Sequence, residues 1–164
     1  MSDPAAEAQI RRMAAADLEQ VMELAANLPE APHWAASAYL NALNPASAPH
    51  RIVLVLVEPS SGGQAQSGNL LGFAVASLLP PEAELESIAV ASDIQRRGLG
   101  RRLFEALAGE LGSAGALDVV LEVRASNHTA LSFYRSIGFG KTGIRRSYYA
   151  DPVEDAVLMR FRLG

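Results

Sequence analysis

Apolar residues recur along the chain with two periods, three-to-four and two. Asp17 precedes Leu18, Val21, Met22, Ala25 and Leu28, the spacing of an amphipathic helix that Pro29 stops. Trp34–Leu43 predicts a second, shorter helix ended by Asn44-Pro45. Leu99, Leu103, Leu107 and Leu111, with Phe104 and Ala108 beside them, form a stripe of about three turns that Gly112 and Gly115 end. After Asn127, the N-cap that the pattern calls for, Ala130, Leu131, Tyr134 and Ile137 repeat the helical spacing up to a stop at Gly138. Strands are expected at Ala8–Met13, Arg51–Glu58, Asn69–Leu79, Glu84–Ala91, Leu117–Val123, Phe139–Tyr149 and Ala156–Arg162. Ser60–Gly68 reads as a flexible loop that makes a hairpin of the second and third strands, and residues 1–7 as a disordered leader. Glu84–Ala91 alternates at first and then turns continuously apolar, as a central strand does. The order β-α-α-β-β-β-α-β-α-β-β predicts an α/β (α+β mixed) fold with helices on a mixed sheet, in a single domain over 1–164 without internal repeats.

Composition narrows the function classes. A chain of 164 residues can bury roughly two thirds of its unfolded surface without disulfides or metals. Its 49% hydrophobic content excludes a disordered chain, and the absence of cysteine excludes a disulfide framework, a thiolate metal site and a cysteine nucleophile. His33, His50 and His128 lack ligand spacing, so no metal is expected. Apolar runs such as Ile52–Val57 fall far short of the ~20 residues of a membrane span, and the acidic, alanine-rich start lacks a signal-peptide pattern. A cytoplasmic protein, monomer or homodimer, with no membrane and no direct nucleic-acid partner is the expectation.

Charge shows where to look for a site. Residues 1–90 hold three Arg against ten Asp and Glu, a balance of −7, while residues 91–164 hold ten Arg and one Lys against eight acids, +3. The net −4 argues against a general nucleic-acid binder, yet the basic second half suits a small anionic ligand. The segment Gln95-Arg96-Arg97-Gly98-Leu99-Gly100-Arg101-Arg102 lies between a predicted strand and a predicted helix. The first N–H groups of a helix lack intrahelical partners and carry partial positive charge, and glycines let a ligand approach the backbone. With four arginines around it, this turn fits a pyrophosphate. It is not a P-loop, since Arg101-Arg102 stand where Lys-Ser/Thr is needed, nor a dinucleotide fingerprint, since Leu103 replaces the third glycine.

SIAVASDIQRRGLGRRLFEAL resembles the acetyl-CoA-binding motif of the GNAT acyltransferases, with Gln95 or Arg96 leading into Gly98 and Gly100. LEVRASNHTALSFYRSIGFGKTGIRRSYYADPVEDAVLM resembles the RimI-type branch, protein N-terminal acetyltransferases that modify an alanine α-amine of a ribosomal protein. The likeness runs from about Glu84 to Met159; upstream, Pro32-His33-Trp34 stands where that branch has a Pro-Trp pair. The resemblance implies the GNAT fold, a central, mostly antiparallel mixed sheet flanked by helices and splayed at the acetyl-CoA-binding strand. It implies that backbone groups of Ile88, Ala89 and Val90 hold the acetyl and pantetheine arm. The amides of Arg96, Arg97, Gly98, Leu99, Gly100 and Arg101 wrap the pyrophosphate, and Asn127 hydrogen-bonds the cofactor. Glu122 matches the general base and Tyr134 the general acid. Tyr148 and Tyr149 match the segment that shapes the acceptor-peptide groove, although Ser-Tyr-Tyr-Ala-Asp here departs from Asn-Tyr-Tyr-Pro and resembles the Ard-type enzymes as well.

Chemistry supports these roles independently. An α-amine is protonated near neutral pH and must lose a proton before it attacks a thioester. A partly desolvated carboxylate accepts that proton, and a phenol can serve the departing thiolate. The expected activity is acetyl transfer from acetyl-CoA to a protein N-terminal α-amine by direct attack, with a ribosomal protein as candidate acceptor. Two alternatives stand beside it: a lysine side chain or small-molecule amine as acceptor, and a non-catalytic acyl-CoA-binding module. An amine panel separates the three.

Overall fold

The structure, a computed structural model, describes residues 7–28, 34–46, 48–59 and 68–164. Most of the proposed leader and the 60–68 loop, together with Pro32 and His33, lie outside the described residues. The element order matches the apolar pattern: β1 (Gln9–Arg12), α1 (Leu18–Ala26), α2 (Ala36–Leu43), β2 (His50–Val57), β3 (Leu70–Leu79), β4 (Glu82–Val90), α3 (Leu99–Ser113), β5 (Asp118–Arg124), α4 (His128–Ser136), β6 (Gly140–Tyr149) and β7 (Glu154–Arg162). One expectation is corrected: α3 runs through Gly112 to Ser113, because the leucine stripe stays buried as far as Leu111. Asn127 caps α4 as expected, its side-chain oxygen accepting from the Ala130 N–H at 3.0 Å.

The sheet order is β1-β2-β3-β4-β5-β7-β6, antiparallel except for the β4–β5 pair. Side chains alternate across it into two cores. On one face Leu54, Leu56, Ala74, Ala76 and Leu85 meet Leu103, Phe104, Leu107 and Leu111 of α3 and Leu131 of α4. On the other, Val53, Val55, Phe73 and Val75 meet Val21 and Ala25 of α1 and Tyr39 and Ala42 of α2. The second half of the sheet has its own aromatic cluster, with Phe104 against Phe139 at 5.3 Å and against Phe161 at 5.1 Å between ring centroids.

Two irregularities of β4 set up the site. The register against β3 passes from Val75↔Ser87 to Ala76↔Leu85, leaving Glu86 as a bulged residue. Ala83 and Leu85 face the α3 side before the bulge, whereas Ser87 and Ala89 face the α1–α2 side after it. This is why the β4 sequence shifts from alternation to an apolar run. On its other edge β4 pairs with β5 only at Glu82↔Asp118, Ala83↔Val119 and Glu84↔Val120. Beyond Glu84 the two parallel strands part, which is the splay the resemblance implied.

Candidate active site

The parting of β4 from β5 leaves backbone groups along Ser87–Val90 without a ladder partner on that edge, and unpaired strand amides and carbonyls are what an amide-bearing ligand arm can pair with. Ile88, Ala89 and Val90 lie on this edge. The Val90 carbonyl already accepts from the Gln95 side-chain amide at 2.9 Å.

At the end of β4 the chain makes a single helical turn, Ser92–Ile94, and enters α3 through two left-handed residues, Arg96 at φ 67° and Gly98 at φ 80°. Arg102 donates the first helical bond of α3, to the Gly98 carbonyl at 3.1 Å, so the N–H groups of Leu99, Gly100 and Arg101 precede any helical acceptor. A side chain at Gly98 would meet nothing within 4 Å, so the space before the helix is open to a ligand. At Gly100 the restriction is tight, since a Cβ there would sit 3.0 Å from the Phe133 ring of α4. Of the four arginines read as flanking an anion, two are committed elsewhere. The Arg101 guanidinium donates to the Ser136 carbonyl at 2.6 Å, and that of Arg102 to the Ala8 carbonyl at 2.8 Å. Arg101 therefore offers its backbone N–H to this turn, while Arg96 and Arg97 are exposed beside it.

On the α1–α2 side of the sheet, Glu84, Val120, Glu122, Leu158 and Arg145 line a cleft of about 210 Å3. Their shared face follows from register, with Glu84 opposite Val120, Glu122 opposite Leu158 and Arg145 opposite Ala156. Glu122, its side chain 24% exposed, lies 3.5 Å from the Arg145 guanidinium. It also accepts a hydrogen bond from the Tyr148 hydroxyl, which raises the Tyr148 pKa. Burial, then the charge of Glu122, raises that of Tyr149, whose ring lies 4.3 Å below the Arg124 guanidinium. Tyr134 is pushed up to about 12, chiefly by burial and secondarily by Tyr149. The structure thus links Glu122 to Tyr148 and Tyr149, and Tyr149 to Tyr134, in one neighbourhood. The turn carrying the tyrosines is fixed by the Ser147 N–H, which donates to Asp155 at 2.8 Å, and by Glu154, which accepts from the Ser126 hydroxyl at 2.9 Å.

The pKa of Tyr134 changes what that residue can do. A thiolate of ordinary basicity, near pKa 8.5, is a weaker base than a phenolate of pKa about 12, so full proton transfer from Tyr134 to it is uphill. A phenol that holds its proton across the neutral range is a hydrogen-bond donor to developing sulfur charge rather than a ready acid. Asn127, expected at the cofactor, spends its side-chain oxygen on the α4 cap. His128 is exposed at the start of α4, and Trp34 packs on Tyr39 at 5.3 Å, a structural contact. Glu84 carried no motif; the alternation Glu82-Ala83-Glu84-Leu85 on a predicted strand was the available sign that it shares a face with Glu122.

The sequence profile of the acetyltransferase (GNAT) family matches residues 18–139, and the chain belongs to that family. Among its relatives, the [ribosomal protein bS18]-alanine N-acetyltransferase of Escherichia coli strain K12 is 47% identical over 96 residues, 57% of this chain and 65% of that protein. The match thus spans a little under two thirds of the relative's length. The crystal structure of the ribosomal-protein-S18-alanine N-acetyltransferase from Escherichia coli superimposes with a TM-score of 0.74 at 31% identity, covering 96% of this chain and 94% of that one. Ard1 from Thermoplasma volcanium superimposes with a TM-score of 0.78 at 26% identity, covering 96% and 99%. Among the described residues no helix is long and apolar enough to cross a membrane, and no cluster of His, Asp and Glu could hold a metal ion.

Proposed function

We propose that the chain is an acetyl-CoA-dependent N-acetyltransferase whose acceptor is the α-amine of a protein N-terminus. The observation that carries this reading is the parting of β4 from β5 beyond Glu84. Glu122 lies there with Tyr148 and Tyr149 close to it and Tyr134 close to Tyr149, and the unpaired amides of α3 lie beyond the end of β4. The amides of residues 96–101 hold the pyrophosphate and the free edge at Ile88, Ala89 and Val90 holds the pantetheine arm, with the Asn127 amide nitrogen as a further contact. Glu122 takes a proton from the acceptor ammonium and passes it to solvent. The freed nitrogen attacks the thioester carbonyl carbon, the carbon–sulfur bond breaks, the nitrogen gives up its second proton through Glu122 to solvent, and coenzyme A departs as a thiolate stabilised by a hydrogen bond from the Tyr134 hydroxyl. Tyr148 and Tyr149 border the acceptor groove.

The E. coli relative is named for alanine of ribosomal protein bS18, and an N-terminal alanine of a ribosomal protein, met in the cytoplasm, is the acceptor this reading favours. The test is to incubate the purified chain and acetyl-CoA with hexapeptides beginning in Ala, Ser or Met, an N-terminally blocked peptide containing lysine, and polyamines. Thiol release is followed and the product mapped by mass spectrometry. Acetylation of the α-amine with alanine preferred supports the reading. Acetylation confined to lysine or polyamines, or coenzyme A binding without turnover on any amine, overturns it.

A further inference from the structure

The turn that carries Tyr148 and Tyr149 cannot take its shape from ladder pairing alone. Where the β6–β7 register passes from Arg145↔Ala156 to Tyr149↔Glu154, the residues Arg146, Ser147 and Tyr148 stand opposite the single residue Asp155. Ser147 at φ 51° and Asp151 at φ 55° are left-handed, a conformation that residues other than glycine keep where surrounding contacts impose it. Two sets of contacts do so. The β7 end is fixed by the Ser147 N–H, which donates to the Asp155 carboxylate, and by the Ala125 N–H, which donates to the Asp155 carbonyl at 3.0 Å. The tip is reached by a side chain from another strand. Arg124 closes β5 opposite Ala156 and lies on the same face as Glu122, since residues two apart on a strand share a face. Its guanidinium is 3.5 and 3.4 Å from the carbonyls of Ala150 and Pro152, 3.5 Å from the Glu154 carboxylate and 4.3 Å from the centre of the Tyr149 ring. A guanidinium can meet all four because it is planar, with donors around its rim and a face for the ring. Glu154 in turn accepts from the Ser126 hydroxyl and N–H, so residues 124–126 clasp the whole turn. The next helix, α4, has its own cap from Asn127 and does not depend on this clasp.

We propose that Arg124 is a positioning residue for the acceptor: it sets the tip of the β6–β7 turn and, through the Tyr149 ring, the wall of the groove that receives the peptide. The proposal rests on the reaction proposed above and adds a residue to it. Arg124 touches no reacting atom. It stands two residues from Glu122 on one strand, so a turn fastened to Arg124 is kept in register with the base. Tyr149 also neighbours Tyr134, so the same contact steadies the surroundings of the phenol that serves the leaving group. Lysine replaces only part of this. Its ammonium can pair with Glu154 or cover the ring, but it lacks the fork that spans two carbonyls.

The test compares Arg124→Gln and Arg124→Lys with the parent chain, using an alanine-first hexapeptide and acetyl-CoA. Arg124→Gln is expected to lower kcat/KM for the peptide by about 10- to 100-fold, the range for a reactant misplaced by about an ångström, mainly through the peptide KM. KM for acetyl-CoA stays within about twofold of the parent, and Arg124→Lys recovers part of the peptide loss. Calorimetric binding of the hexapeptide to the coenzyme A complex weakens in parallel, a readout free of turnover. Arg12→Gln is the control for stability. It breaks the pair between Arg12 of β1 and Glu110 of α3, at the opposite edge of the sheet from β6, and leaves both KM values as in the parent. The route through Tyr149 is read from a double variant. Tyr149→Leu alone weakens the peptide, and adding Arg124→Gln then costs less than it does in the parent, because the ring it positions is gone. A peptide KM for Arg124→Gln within about twofold of the parent, an equal rise in both KM values, or losses that simply multiply in the double variant overturn the proposal. If the parent acetylates the α-amine while Arg124→Gln behaves as the parent, only the role of Arg124 falls. If the parent acetylates no α-amine, the reaction proposed above falls and this role with it.

Discussion

Gly72 lies on β3 opposite Val90, and a methyl group on its Cα would fall 2.7 Å from the carbonyl oxygen of Ala89. Carbon–oxygen contacts across a sheet settle at about 3.3 Å or more, so Gly72→Ala must move β3 and β4 apart by about 0.6 Å. The obstacle is backbone in the middle of a sheet, which cannot swing aside as a side-chain tip does. Overpacking of this kind costs about 1–3 kcal/mol, which lowers the melting temperature of a domain this size by about 3–10 °C. The displaced strand is the one assigned to the pantetheine arm. A misplacement of about half an ångström there raises the dissociation constant for acetyl-CoA by about tenfold. The same substitution at Gly109 serves as the control. That residue is exposed inside α3 and a Cβ on it meets nothing within 4 Å, so Gly109→Ala should stabilise by about 0.5–1 kcal/mol through helix propensity alone. Scanning calorimetry and titration of acetyl-CoA read both effects. A Gly72→Ala protein that melts at or above the parent temperature refutes the reasoning.

Three further outcomes are expected. Glu122→Gln lowers kcat by about 100-fold or more, with the loss greatest at pH 6, and Tyr134→Phe lowers kcat while leaving acetyl-CoA affinity unchanged; steady-state kinetics at several pH values check both. All four tyrosines are shifted upward, Tyr134 to about 12. A raised folded pKa contributes stability that is complete below the unfolded value, near 10, and is lost as pH climbs through the folded value. The phenolate absorbance of the native protein should therefore reach its midpoint above pH 10, later than in denaturant, and Tyr134→Phe should remove the last step. Asp17 is 4% exposed, receives both arms of Arg11 at 2.7 and 2.9 Å and the Ala14 N–H at 2.8 Å, and the Arg11 hydrogen bonds hold its pKa below the usual carboxylate value. Asp17→Asn should cost about 2–3 kcal/mol at pH 7 in urea denaturation. Because the folded pKa is depressed, the deficit should vanish as the pH falls below about 4, where the parent loses the same interaction.

Much of this fold is legible in the chain because each element announces itself locally. The leucine stripe of α3, the Asn127 cap and the proline-bounded β2 all fall where spacing puts them. The parting of β4 from β5 does not, because it depends on where a parallel ladder stops, and no local pattern encodes that. The β4 bulge left a trace, the change from alternating to continuous apolar residues at Glu86-Ser87-Ile88, which a period of two cannot explain without an extra residue. Glu122, Tyr134, Tyr148 and Tyr149 were legible as a motif; in the structure Tyr148 and Tyr149 sense the charge of Glu122, while Tyr134 senses Tyr149. The arginines were legible only as composition. Direction depends on carbonyls distant in sequence, so a count of positive residues near the glycine turn could not tell that Arg101 and Arg102 reach away from it. Glu84 escaped for the same reason, since the groups it faces are set by three neighbouring strands.

The two guanidinium tethers at the start of α3 have a further effect. By fastening the first turn to α4 on one side and to the segment before β1 on the other, they fix the direction of the amides at residues 99–101 from within the protein. A receptor set in advance forfeits little disorder on capture, so association should be quick and limited by encounter rather than by rearrangement. Severing either tether should then show first as slower capture of coenzyme A, with turnover at saturation nearly intact.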